Sequence, residues 1–264
     1  MKYNASPEHR ALPEACNTQS EDWTSAAVLE EHKPDQSAAL RHLALLDPDA
    51  ELFTFQTFDD DKARRAENMT KRRFDPLAKT ERGALVDLWP LLADLNQQGA
   101  GIFVTVNETK GAKRKKSDLA RIRAVFQDDD GNGSDQLPLQ PHLVVQSSPG
   151  KFHRYLRADE LTPDEFDAVQ RVLVESYGSD PNAKDRVRVL RLAGFYHRKG
   201  APYLVRIVSG REAPPYSREA ILQAFPPGAI STVKDLTVDL PQPTAQPAEL
   251  VLLEARKLAL EAAR

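Results

Sequence analysis

The chain contains one cysteine, Cys16, in 264 residues. That excludes an intramolecular disulfide framework and any zinc finger or ribbon built on cysteine pairs. No apolar run approaches the roughly 18 residues that cross a bilayer, and the polar start MKYNASPEHR lacks the apolar stretch of a signal peptide. The expectation is a cytoplasmic protein, neither secreted nor bound to a membrane. A phosphate-binding loop of the G-x-x-x-x-G-K-[ST] kind is also missing. SPGKF, at 148–152, has neither the upstream glycine nor the following Ser or Thr, so a motor would have to come from another chain or domain. Charge of one sign is scarce overall, with a net value of −3, yet the distribution is uneven. KGAKRKKSDLARIR (Lys110–Arg123) is strongly basic and is followed, after only AVFQ, by an acidic DDDG.

What is present suffices for a globular domain, since 41% of the residues are apolar. Residues 1–34 are polar and without periodicity and are expected to form a poorly ordered leader. One domain is expected over 35–228, a proline-containing linker over 229–248, and a C-terminal helix over 249–264 that leads to a partner or further domain. Within the domain, SAALRHLALL has Leu40, Leu43 and Leu46 at helical spacing, and LFTFQTF alternates like a strand. TERGALVDLWPLLADLNQQGAG reads as one helix or a pair kinked at Pro90 and stopped at Gly99. GIFVTVNE is a strand, a short helix starts at Ser117, and IRAVFQD is a strand ending in aspartates. HLVVQSS and KFHRYLR flank Pro149-Gly150 as a hairpin. LTPDEFDAVQRVLVESYG is a helix with a Thr162–Glu165 capping box, Pro163 at its first turn and Gly178 at its end. YLVRIVSG then supplies a strand and SREAILQAF a helix. The fold class is therefore α+β, a mixed or antiparallel sheet with helices on one side.

The three aspartates of FQDDDGNG admit several readings. They could be a solvated turn. They could open a calcium loop, because Asp128, Asp130, Asn132 and Gly133 match D-x-[DN]-x-[DN]-G; however, Leu139 stands where the bidentate glutamate belongs, and a strand enters where a helix should. The third reading follows strand geometry. Asp128 and Asp130 share one face, about 7 Å apart along the backbone, while Asp129 points away and is expected to be dispensable by comparison. Two carboxylates so placed can converge on divalent ions, as phosphoryl and nucleotidyl transfer requires. Such chemistry also needs a third acid and cations for phosphate. SSPGKFHRY offers Lys151 and His153 on a common face, and DPNAKDRVRVLRLAGFYHRKG offers Asp180 and Asp185 among Arg186, Arg188, Arg191, Arg198 and Lys199.

These elements, in this order, resemble the RepB-like DNA primases of plasmids, phages and integrative elements, within the archaeo-eukaryotic primase (prim-pol) superfamily. FQDDDG resembles that family's D-x-D at a strand end, SSPGKFH its small-x-His element, and DRVRVLRLAG the segment of its third acid. The resemblance spans roughly 35–209, with one departure: Ala193 stands where an R-L-P-G turn usually has proline. It implies an RRM-like catalytic core and template-directed nucleotidyl transfer by a DNA primase or primase-polymerase. The product would be primers on single-stranded DNA for replication of a mobile element, made by a two-metal mechanism with Mg²⁺ or Mn²⁺ and NTP or dNTP. Carried over by position, Asp128, Asp130 and Asp185 would be the catalytic metal ligands, with Asp180 the second choice for the third acid. His153 would bind the incoming triphosphate, and Lys151, Arg188 and Arg191 would contact phosphates. A replicative helicase, or a helicase domain further along, is the implied partner. The basic stretch Lys110–Lys116 would touch template phosphates without sequence choice.

Two other classes remain open on the residues alone. A non-catalytic single-stranded nucleic-acid-binding module would need exposed aromatics, and only Phe53, Phe55 and Phe58 cluster. A metal-dependent nuclease or relaxase would also use acids or histidines on a sheet; the relaxase version wants clustered histidines and a nucleophilic tyrosine, whereas His142, His153 and His197 are far apart in sequence.

Overall fold

The computed structural model describes residues 32–71 and 74–228. Nearly all of the leader, and all of the linker and C-terminal helix expected after 228, lie outside those residues. The elements run α1 (Gln36–Leu46), β1 (Phe53–Asp59), α2 (Lys62–Thr70), β2 (Thr80–Gly83), α3 (Leu85–Gln97), β3 (Ala100–Thr105), β4 (Glu108–Thr109), β5 (Leu119–Arg121) and β6 (Ala124–Asp129). They continue with β7 (Leu143–Ser148), β8 (Lys151–Arg157), α4 (Pro163–Tyr177), β9 (Val189–Arg191), β10 (Tyr196–His197), β11 (Tyr203–Leu204), β12 (Arg206–Gly210) and α5 (Arg218–Ala224).

Two four-stranded sheets carry the fold, ordered β2-β1-β3-β9 and β12-β7-β8-β6. Every pairing in both is antiparallel. β1, β6 and β8 are buried on both faces. Phe55 on β1 and Ile102 and Val104 on β3 are fully buried with Leu92 and Leu95 of α3. In the second sheet Phe126, Val145 and Leu156 are buried with Phe166, Val169 and Leu173 of α4. The two halves merge into one contiguous core. Among the described residues no helix is long and apolar enough to cross a membrane.

Three local expectations change. TERG does not begin a helix; it pairs with β1 as β2, with Gly83 opposite Phe53, and the helix starts at Leu85. Pro90 lies inside that helix without dividing it. The short helix expected from Ser117 is a single 3₁₀ turn, Lys116–Asp118, leading into β5. α2 is rich in charge and poor in large apolar residues and is not among the expected elements. The expected hairpin is present, with Gly150 in the left-handed region at φ 74° between β7 and β8.

Candidate active site

β6 is an edge strand, and its outward backbone groups are met by side chains instead of a neighbouring strand. Asn107 Oδ1 accepts from the Ala124 amide at 3.3 Å, Gln170 Oε1 from Phe126 at 3.1 Å, and Ser179 Oγ from Asp128 at 3.0 Å. Gln170 Nε2 donates back to the Phe126 carbonyl at 3.2 Å. Gly178, at φ 68°, ends α4 in a left-handed turn, and the chain that follows runs back along β6. The Asp180 amide then donates to the Asp128 carbonyl at 2.8 Å. A carboxylate from beyond α4 thus lies beside one from β6.

Asp129 faces the opposite way and is not a spare acid. Its Oδ1 accepts from the amides of Gly131 at 2.8 Å and Gly133 at 2.7 Å, and its Oδ2 takes Arg154 Nη1 at 2.9 Å. Both partners of that ion pair are nearly inaccessible. Gly133 has no room for a side chain, since a Cβ there would lie 2.6 Å from the Asp129 carboxyl carbon. Asp129 thus points away from Asp128, as the strand geometry predicts, and has a structural part: it anchors the turn from which Asp130 projects.

Asp128 stands directly opposite His153 in the β6–β8 register. Their side chains approach to 3.5 Å, Nε2 to Oδ1, which is long for a hydrogen bond. Burial, reinforced by the Arg191 charge, depresses His153 to about 3, so the ring is neutral. Its Nδ1 is buried and without a partner. Burial also pushes Asp128 up to about 6; Arg188 opposes that rise, and the carboxylates of Asp130 and Asp180 add to it. Arg188 Nη2 lies 3.5 Å from both Asp128 and Asp180. Lys151 Nζ reaches Asp130 at 3.0 Å from the hairpin tip.

These groups line one cleft of about 390 Å³ between the two sheets. Its other wall comes from the first sheet and the β10–β11 hairpin, with Phe103, Arg191, His197 and Lys199, and from Lys62 at the start of α2. Of these, Phe103 and Lys62 carried no sequence signal. Arg191 lines the cleft but is already engaged, held by Asp60 through two bonds of 3.0 and 2.8 Å and stacked on Phe103, its guanidinium carbon 4.7 Å from the ring centre. Asp185 does not line the cleft. Its Oδ1 accepts from the Val187 amide at 3.2 Å within its own turn. In the basic stretch, Arg114 is half-buried and donates to Gln56 Oε1 at 3.1 Å, while Lys110, Lys113, Lys115 and Lys116 are exposed.

Among the described residues no three His, Cys, Asp or Glu side chains stand together as a ready metal cage. A magnesium-type site does not need one, because such ions are commonly held by one or two carboxylates plus substrate phosphates and water. The hard oxygens of Asp128, Asp130 and Asp180, with cations on both sides, suit an ion that arrives with a polyphosphate.

Residues 96–231 match the family described as the RepB DNA-primase N-terminal domain. Three solved structures are similar. The AEP domain of the cyanophage S-2L primase-polymerase has a TM-score of 0.57 at 18% identity, covering 74% of this chain and 100% of that one. The catalytic domain of primase RepB' in complex with initiator DNA gives 0.52 at 20% identity, with 71% and 92% covered. Primase RepB' gives 0.52 at 19% identity, with 86% and 69% covered. No curated protein matches the chain.

Proposed function

Because the chain belongs to the RepB DNA-primase N-terminal domain family and is thereby a DNA primase, a nucleotidyltransferase, we propose that primer synthesis on single-stranded DNA takes place in the cleft between its two sheets. The observation that carries this reading is the convergence of Asp128, Asp130 and Asp180 with Lys151 and Arg188 in that one cleft. Asp180 is the better third acid than Asp185, since it faces Asp128 across Arg188 while Asp185 is turned into its own loop.

Mg²⁺ or Mn²⁺ held by these carboxylates would neutralise the triphosphate and activate the attacking hydroxyl. The chain's own residues do the rest. Lys151 and Arg188 exchange their carboxylate partners for phosphate oxygens. The neutral His153, buried and with an unused ring nitrogen, hydrogen-bonds the triphosphate without adding charge. Arg191 is a positioning residue, fixed by Asp60, that holds Phe103 against the cleft wall. The exposed lysines of the 110–116 stretch meet template phosphates. The setting we propose is replication of a mobile element, a reading supported by the phage origin of one structural relative.

The test is incorporation of labelled nucleotides on unprimed single-stranded DNA with Mg²⁺ or Mn²⁺. The wild type makes metal-dependent products. Asp128→Ala and Asp180→Ala make none while keeping the fold and the affinity for DNA, and Asp185→Ala keeps most of the activity. Full synthesis by Asp128→Ala would falsify the assignment.

A further inference from the structure

The second large cavity, about 400 Å³, lies away from the acids and is ringed by Arg41, Arg157 and Arg211. Arg41 comes from α1, Arg157 from the end of β8, and Arg211 from just after β12. Arg157 is four residues along β8 from His153, about 13 Å at the rise of a strand. The cavity and the cleft therefore sit at opposite ends of the same hairpin.

Two of these guanidinium groups are held in place by neutral acceptors. Arg157 Nη1 donates to the Ala213 carbonyl at 3.1 Å. Arg211 Nη2 donates to the Gln140 carbonyl at 3.1 Å and to the Tyr216 hydroxyl at 2.6 Å, with its guanidinium carbon 5.3 Å from the Tyr216 ring centre. His142 completes the frame. It accepts from the Arg157 amide at Nδ1 (3.1 Å), so its proton is on Nε2 and is donated to the Pro214 carbonyl at 2.9 Å. Among the described residues none of the three arginines forms an ion pair, and Glu212 on the rim pairs with none of them. Arg41 is exposed and Arg157 and Arg211 are half-buried, so an anion entering the cavity meets three guanidinium charges that no carboxylate neutralises.

The lining also says what kind of anion. Its apolar part is Ala44, Leu45, Pro48, Ala213 and Pro214, with no ring on which a base could stack. It offers fixed charge to a phosphate and nothing to a nucleobase. We propose that this cavity binds the phosphodiester backbone of the single-stranded DNA whose neighbouring stretch occupies the catalytic cleft, a second anchoring site on the far end of the β7–β8 hairpin. The proposal rests on the cleft being where the template is copied.

The test compares wild type, Arg41→Glu and Arg41→Lys as full chains for binding of a labelled single-stranded oligonucleotide over a range of salt concentrations. Arg41 is exposed and has no described partner, so its replacement leaves the fold intact; unchanged melting temperatures check this. The expected result is weaker binding by Arg41→Glu and a log–log salt slope shallower by about 0.7 per lost phosphate contact, with recovery in Arg41→Lys. In synthesis, Arg41→Glu raises the KM for template more than it lowers kcat. Wild-type affinity and slope in both Arg41→Glu and Arg157→Gln overturn the proposal. So does full competition for the site by inorganic phosphate or free dNTP at concentrations that leave the cleft unsaturated, since the cavity would then be a small-anion site. Failure of the cleft reading would show separately, as absence of synthesis by the wild type, and the binding comparison would still judge this cavity.

Discussion

Asp128 and Asp129 are adjacent in sequence and electrostatically opposite. Asp128 is desolvated and crowded by other carboxylates, which raises its pKa from 3.8 to about 6. Its contribution to stability is full below the ordinary aspartate value and lost as pH rises through about 6, a difference of about 3 kcal/mol at most. Asp128→Asn should therefore melt higher than wild type at pH 8, with the gap closing towards pH 4, while synthesis is abolished. Thermal denaturation across that range reads it. Asp129 behaves the other way. Burial would raise it, but Arg154 and the amides of Gly133 and Gly131 outweigh burial and hold it below its usual range. Its stabilising effect is present above the ordinary aspartate value and disappears as pH falls through the lower folded one. Asp129→Ala leaves Arg154 buried without its carboxylate and should cost about 3 kcal/mol, measurable by urea denaturation. Ala193 is intelligible at the same scale. Its amide donates to Nδ1 of the buried His42 at 3.2 Å, a bond that the proline usual at this position in the family cannot make.

Among the elements, α4 is the one whose sequence and structure agree throughout. Thr162 and Glu165 form the capping box, Pro163 occupies the first turn, and Gly178 supplies the left-handed stop. Thr162→Ala should cost about 1 kcal/mol in a melting experiment. The β7–β8 hairpin was legible as a hairpin from Pro149-Gly150 and the apolar segments on either side, but not the shift of its register between Gln146 and Ser148. Asp180 and Asp185 were not separable by such signals. They sit five residues apart in a segment with no period, and Gly178 and Ser179 decide between them by laying the chain along β6. β2 and α2 were missed for a related reason. TERG carries no strand alternation, and its partner β1 lies over twenty residues away in sequence. Gln170 tests how far the β6 edge depends on its caps. Gln170→Leu strands the Phe126 amide and carbonyl and should cost about 2 kcal/mol, with a loss of kcat because Asp128 loses its alignment.

For the molecule as a whole, sequence reasoning yielded the class of fold and the order of site elements but one main sheet where the described residues form two four-stranded ones, since strand partners are chosen by long-range packing. The joint between α1 and the rest turns on Gly194. It sits at φ 86°, its carbonyl accepts from the Asp35 amide at 2.7 Å, and a Cβ there would lie 2.1 Å from the Asp35 carbonyl oxygen. Gly194→Ala should be among the most damaging single changes, above about 4 kcal/mol, seen as loss of soluble, cooperatively unfolding protein.

The sealed edge of β6 also bears on how copies of this chain could associate. Sheets grow by adding strands at an edge that still has unsatisfied amides and carbonyls. On the β6 side Asn107, Gln170, Ser179 and Asp180 have taken those groups, so β6 cannot template a foreign strand. The opposite edge, β12, carries a bulge between Ile207 and Ser209 and an exposed Val208. Any cross-chain strand addition to this sheet would have to start there. Three strand spacings, about 14 Å, separate it from the acids, so a sheet extended between copies would leave the route to the carboxylates open.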